Sequence, residues 1–182
     1  GGGRPACVIV MNSVLTAAIT YLHTGFSVVP AALDKRPMLP WKSLQTRKPT
    51  KLELLNWCRR WPEAGVAIVC GKISGLVVID CDPRNGDGLQ ALAPRLPRTP
   101  TVETGGGGRH YYFSYPPGGR IPKVPALLPG VDLQAEASCV IAPPSAHRSG
   151  RPYRWLPGLA LGEVPLAPLP PVIRQLIALR QL

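Results

Sequence analysis

Two carboxylates stand at the end of the apolar run VVIDCD, Val77 to Asp82. Alternate side chains of a strand share a face, so Asp80 and Asp82 point the same way and Cys81 points oppositely. Like charges so close repel, and desolvation raises the cost. The pair therefore needs a positive neighbour, either a basic side chain or a metal ion. Hard cations such as Mg²⁺ take oxygen ligands, commonly one or two carboxylates plus phosphates, which suits phosphoryl transfer. The plainer alternative is an exposed acidic strand end, or an Asp turn before Pro-Arg-Asn-Gly. A third acid, Asp132, lies in PGVDLQ, where a turn aspartate after Pro-Gly is the simpler reading. Three such acids on short strands could converge on two metals that clamp the attacking and leaving oxygens of a displacement.

A second group of residues surrounds TGGGGRHYYF (104–113). Four glycines leave a backbone that something can approach closely. His110 shares a strand face with Tyr112, and His110 or Arg109 could hold a phosphate. The alternative is a flexible hairpin with an ordinary strand histidine. GVAIVCGKIS has the look of a phosphate-binding loop but fails as one. Five residues separate Gly65 from Gly71, and Ile73 stands where Ser or Thr should meet Mg²⁺.

These residues need elements to position them. Asn12 or Ser13 caps a helix through about His23, with Leu15, Ala18, Ile19 and Leu22 on one face and Gly25 as its stop. FSVVP (26–30) reads as a strand and residues 33–43 as a loop. Thr50 and Glu53 form a capping-box pattern that opens a helix through about Trp61. GVAIVC (65–70) and LVVID (76–80), separated by GKISG, read as a hairpin. Residues 87–96 read as a short helix interrupted by Pro94. TVET, GGGG and RHYYFSY give strand, turn, strand. VDLQ (131–134), SCVIAP (138–143) and RPYRWL (151–156) add three strands, and residues 170–182 a helix with proline in its first turn.

The 182 residues suit one domain or two tightly joined lobes, and 45% hydrophobic content supplies a core. The 23 prolines and 19 glycines imply many loops. A net charge of +11 and a pI near 10.0 favour a polyanionic partner, usually nucleic acid. Arg47, Lys48, Lys51, Arg59 and Arg60, with Arg148, Arg151 and Arg154, are the candidate phosphate contacts, although a solvated basic helix would carry the same pattern. Trp41, Trp57, Trp61 or Trp155 could stack on bases, with core packing expected for at least two of them. Five cysteines without C-x-x-C pairing argue against a disulfide framework or a zinc site and suit a reducing cytoplasm. No apolar run is long enough for a membrane-spanning helix. Residues 1–10 read as a tag or upstream extension, with Met11 a natural start. Residues 11–160 read as the catalytic domain, and 161–182 as a Pro-rich linker and C-terminal helix.

In order, VVIDCD, GGRHYYF and GVDLQ resemble the three signature motifs of the archaeo-eukaryotic primase superfamily. YLHTGFSVVP, KRPMLPW, TPTVET, IAPPSAHRSG and YRW resemble the flanks of its bifunctional primase–polymerase domain, found in replication proteins of phages, plasmids and other mobile elements. The likeness covers roughly residues 14–158. It implies an α+β fold, with an α/β lobe packed on an RRM-like lobe and the active site in the cleft between them. It also implies roles. Asp80, Asp82 and Asp132 would bind Mg²⁺ or Mn²⁺ in a two-metal site. His110, with Gly108 and Arg109 beside it, would meet the triphosphate. Ser145 and His147 match an element near the site, and Lys35 matches a lysine that reaches phosphate or template. Gly108 stands where many members carry Ser, Gln134 where relatives often have a basic residue, and Ala137-Ser138-Cys139 where Gly-Gly-aromatic is commoner.

The activity implied is template-dependent DNA priming and polymerisation from (d)NTPs. Single-stranded template and primer would be the partners, along with a C-terminal or separate helicase. The rival readings are a metal-dependent nuclease, which shares the acids and the basic surface, and a non-catalytic nucleic-acid-binding module of the same fold.

Overall fold

The computed structural model describes residues 12–182, so the expectations for residues 1–10 and Met11 lie outside the described residues. Helix α1 (Ser13–Thr24) begins where Asn12 Oδ1 accepts the Leu15 N–H at 2.7 Å, and it stops at Gly25, whose φ of 106° suits glycine. Strand β1 (Val28–Ala31) follows. Helix α2 (Lys51–Arg60) carries the expected capping box, with Thr50 and Glu53 bonding each other's backbone N–H. Then come β2 (Gly65–Val69), β3 (Leu76–Cys81), α3 (Gly88–Leu92), β4 (Thr101–Glu103), β5 (Arg109–Ser114), β6 (Val124–Leu128) and β7 (Val131–Gln134). The chain continues through β8 (Cys139–Ala142), β9 (Arg154–Trp155), β10 (Ala167–Pro168) and α4 (Pro171–Arg180). Among the described residues, no helix is long and apolar enough to cross a membrane.

The strands form two sheets. The small one runs β1-β2-β8 and is antiparallel throughout. The large one runs β6-β7-β3-β5-β4-β9, with β10 paired in parallel to β5. Helices α1 and α2 pack on the small sheet through Leu15, Ala18, Tyr21 and Leu54. Helix α4 covers one face of the large sheet through Ile173 and Ile177. This is the α+β, two-lobed, primase-like arrangement.

The expected hairpin between residues 65–70 and 76–80 does not form. One isolated bridge, Gly71 to Leu76, closes the turn, and the two strands then enter different sheets. The reason is their composition. Val66 to Val69 and Leu76 to Ile79 are buried without interruption, so each strand needs cover on both faces and becomes the interior strand of its own sheet. The segment read as a linker also packs. Ala167 and Leu169 are buried with Ile173 and Ile177 against the large sheet. Strand β6 was not evident from KVPALLPG, whose prolines argue against a strand. It survives at the sheet edge with a bulge at Ala126, where φ is 47°.

Candidate active site

Strand β3 explains where the site sits. Val77, Ile79 and Cys81 face α4, while Leu76 and Val78 face the small lobe. Asp80 continues that second face at the point where the small lobe's cover ends. It is flanked in register by His110 on β5 and by Asp132 on β7, so His110, Asp80 and Asp132 form one row across three strands. The next row, Tyr112, Val78 and Gln134, lies deeper under the small lobe. The His110–Asp80–Asp132 row, with Asp82, Gly108, Lys35, Asn85, Thr104 and Tyr153, lines a polar cleft holding about 400 Å³ of water-accessible space.

Each group has identifiable support. His110 Nε2 lies 3.4 Å from Asp80 Oδ1, while its buried Nδ1 has no hydrogen-bond partner among the described residues. Burial alone would raise the Asp80 carboxyl, but the His110 contact and the Lys35 charge outweigh it and hold the group below its ordinary value. Asp132 Oδ1 accepts the Ala126 N–H at 2.7 Å, so the β6 bulge orients it. Asp82 lies one residue past the end of β3. Its carboxyl is held low, first by hydrogen bonds from the Arg84 side chain at 3.0 and 2.8 Å. Lys35 sits in the turn after β1 with φ of 73°, an uncommon conformation for lysine. The Ala32 N–H bond to Arg36 O (2.8 Å) and the Lys35 N–H bond to Ala32 O (2.9 Å) hold that turn.

The glycine stretch forms a tight turn from Thr104 to Gly108, closed by the Thr104 N–H bond to Gly108 O and the Gly108 N–H bond to Thr104 Oγ1, both 2.9 Å. His147 packs against Gly105, and its Nδ1 accepts the Ser149 N–H at 3.0 Å. Burial, then the charges of Lys35, Arg148, Arg84 and Arg151, hold the His147 pKa below its usual value. Buried Tyr153 stands between the two histidines, with ring centroids 6.0 Å from His110 and 5.6 Å from His147.

Other expected residues are elsewhere. Ser145 is buried, and its Oγ accepts the Val66 N–H (2.9 Å) and contacts Val66 O (3.2 Å), which ties its loop to β2 outside the cleft lining. Arg109 alternates with His110 and is exposed on the opposite face. Lys48, Lys51, Arg59 and Arg60 are exposed on or before α2, and none lines the cleft. Arg47 forms a bidentate pair with Glu53 (2.8 and 3.0 Å), and Arg154 pairs with Glu103 (2.7 Å). Exposed Arg148 and Arg151 lie in the His147 loop. Trp41, Trp57 and Trp155 pack against the core, and Arg60 lies 4.7 Å over the Trp61 ring. Residue-by-residue reading missed Arg84, Asn85 and Tyr153. The adjacency of Arg84 to Asp82 was the available signal for the first two.

A hard divalent cation fits this donor set in part. The set is all oxygen in a polar cleft, and Cys81 turns its thiol away, with burial pushing that pKa up to about 12. Asp80 and Asp132 are directly opposed, and like charges so placed repel without a cation between them. Asp82, however, is folded onto Arg84 and Asn85. Among the described residues, therefore, no three ligating side chains stand together as a ready metal cage.

No curated protein matches the chain. Residues 18–172 match the Prim-Pol family model, described as bifunctional DNA primase/polymerase, N-terminal. With its acid row and cleft carried on the fold that family implies, the chain belongs to the Prim-Pol family of DNA primase/polymerase domains.

Proposed function

We propose that this cleft is the nucleotidyl-transfer centre of a template-dependent DNA primase/polymerase, taking (d)NTPs, a primer 3′-hydroxyl and a single-stranded template. The observation that carries the reading is the His110–Asp80–Asp132 row at the mouth of the inter-lobe cleft. Asp80 and Asp132, joined by Asp82, would hold Mg²⁺ or Mn²⁺, as one metal or two. When bound, such cations would supply Lewis-acid stabilisation to the attacking 3′-oxygen and the departing pyrophosphate.

The chain's own groups supply the rest. His110, fixed beside Asp80, would bind a triphosphate oxygen through a ring nitrogen. Lys35 would add positive charge from the opposite lobe. The Thr104–Gly108 turn would let phosphate approach the backbone closely. Arg148 and Arg151 would meet the template backbone beside the cleft. Lys48, Lys51, Arg59 and Arg60 would form a separate basic surface that the strand reaches only by wrapping the small lobe. The unit proposed for residues 11–160 would carry the chemistry, with residues 161–182 closing its large sheet. A helicase, fused or separate, would supply the single strand.

Primer extension on a single-stranded template tests this, with omissions of metal, primer and each nucleotide class. Metal-dependent extension lost in Asp80→Ala/Asp82→Ala is the expected result. Products made without primer would add priming. Shortened substrate would instead establish a nuclease, and DNA binding with neither reaction a non-catalytic module.

A further inference from the structure

Asp82 is the proposed ligand whose carboxylate is fully engaged. Its Oδ1 accepts the Arg84 backbone N–H at 3.0 Å and Arg84 Nε at 3.0 Å. Its Oδ2 accepts Arg84 Nη2 at 2.8 Å and Asn85 Nδ2 at 3.3 Å. A carboxylate offers about four acceptor sites, and all of them are taken. No cation can coordinate Asp82 until a donor leaves.

Departure of the exposed Asn85 amide would free one site on Oδ2, whereas the Arg84 side chain holds a site on each oxygen and its departure opens both. The backbone N–H belongs to a turn that the Asn85 N–H bond to Asp82 O (3.0 Å) holds in place. The guanidinium, by contrast, hangs on a flexible side chain that is 57% exposed. It also has somewhere to go. Arg84 Nη2 lies 3.3 Å from the point where a Cβ on Gly106 would stand, and His147 Cε1 lies 3.6 Å from the same point. The guanidinium therefore already overhangs the glycine turn, on the side of the cleft where His147 and its neighbouring cations gather. A change of side-chain rotamer would carry it from Asp82 to that mouth. A planar fork of N–H donors matches phosphate oxygens well.

We propose that Arg84 has two working positions. It is the internal counter-ion of Asp82 in the metal-free protein, and it becomes a contact for the incoming triphosphate once a divalent cation takes Asp82. This deepens, and rests on, the metal-dependent reading given above. The exchange conserves the charge balance at Asp82, because that carboxylate faces a cation in both states. It also couples the two loading steps, since metal binding frees the group that the nucleotide needs.

The two positions predict effects of opposite sign. Mn²⁺ binding to the full chain, without nucleotide, is titrated by electron paramagnetic resonance for wild type, Arg84→Gln, Arg84→Lys and Asp80→Asn. Binding of a non-hydrolysable dNTP analogue in excess Mg²⁺ is measured calorimetrically on the first three. Arg84→Gln should bind Mn²⁺ about threefold to fivefold tighter, the worth of an exposed ion pair. It should bind the analogue at least about tenfold more weakly, as expected for loss of a charged hydrogen bond. Arg84→Lys should fall between on both counts. Melting in EDTA establishes that each variant is folded, and Arg84→Lys carries the test if Arg84→Gln is not.

Affinities that move together, or not at all, would overturn the two-position role, with the metal reading intact provided Asp80→Asn abolishes Mn²⁺ binding. If neither wild type nor Arg84→Gln binds Mn²⁺, or if Asp80→Asn binds it normally, the metal reading falls and the Arg84 role with it.

Discussion

Gly108 is the point where the glycine turn touches the acid strand. A Cβ there would stand 2.5 Å from the Cys81 carbonyl oxygen and 3.2 Å from Thr104 Oγ1. The Cys81 carbonyl belongs to the backbone between Asp80 and Asp82, so it cannot swing aside as a side chain would. Ordinary contact begins near 3.4 Å, so Gly108→Ala must force β5 and the end of β3 apart by about 0.9 Å. Overpacking of this kind costs typically about 1–3 kcal/mol. For a chain of this size, a middle value of ~2 kcal/mol corresponds to a fall in Tm of roughly 4–8 °C. The shift falls on the site, where a misplacement near 1 Å costs on the order of 10²-fold in rate. Calorimetry and the kcat of primer extension measure the two effects. Gly118→Asn is the control. Gly118 has φ of 85°, nothing within 4 Å of a Cβ and no part in the cleft lining, and asparagine tolerates that conformation, so the change should cost little in either measure. A Gly108→Ala protein with wild-type Tm and kcat, or with losses no larger than those of Gly118→Asn, would refute the steric argument.

Three further outcomes follow from the same geometry. Asp132→Asn relieves the repulsion opposite Asp80 and keeps an oxygen for the Ala126 N–H, so melting in EDTA should show a gain of about 0.2–1 kcal/mol while extension is lost. Ser145→Ala leaves the buried Val66 N–H without its partner and should cost about 1–3 kcal/mol of stability in urea unfolding. A fall in nucleotide affinity without a fall in stability would put that hydroxyl in the site instead. The pH dependence has two steps, both on the acid side. His147 has a depressed pKa, so its contribution is complete above its ordinary value of 6.5 and drains as pH falls through the folded value. Asp80, Asp82 and Glu53 are also depressed, so theirs is complete above about pH 4.5 and is lost as pH falls below the ordinary carboxylate range. Urea midpoints from pH 8 to 3 should decline gently below about pH 6.5 and steeply below about pH 4. A midpoint that rises on acidification would contradict these signs.

Much of this was legible in the sequence where local chemistry dominates. Asn12, Gly25, Thr50 and Glu53 set helix ends through their own backbone bonds. The alternation of VVIDCD turns Cys81 away from the face of Asp80, and that of RHYYF puts His110 with Tyr112, while the register that sets Asp80 beside His110 comes from the fold. Strand partnership was less legible, because two apolar runs joined by a short turn look like a hairpin whether they pair or diverge. Only the demand for cover on both faces separates β2 from β3. Strand β6 was hidden because its prolines are tolerated at an edge. The Asp82–Arg84 clamp was missed because a pair of alternating acids suggests convergence on metal, and convergence fails when a neighbouring guanidinium, backbone N–H and amide together fill every acceptor. The remoteness of the α2 cations from the cleft depends on lobe packing, which charge counting cannot supply.

Nucleotidyl transfer at these carboxylates, as proposed, must release pyrophosphate. The deciding quantity is pyrophosphate released per nucleotide incorporated on a primed single-stranded template, with Mg²⁺ or Mn²⁺, for wild type and for Asp80→Asn. One pyrophosphate per nucleotide in the wild type, abolished by the substitution and by EDTA, is the predicted result. Incorporation that persists in Asp80→Asn, or strand shortening without pyrophosphate, would contradict it.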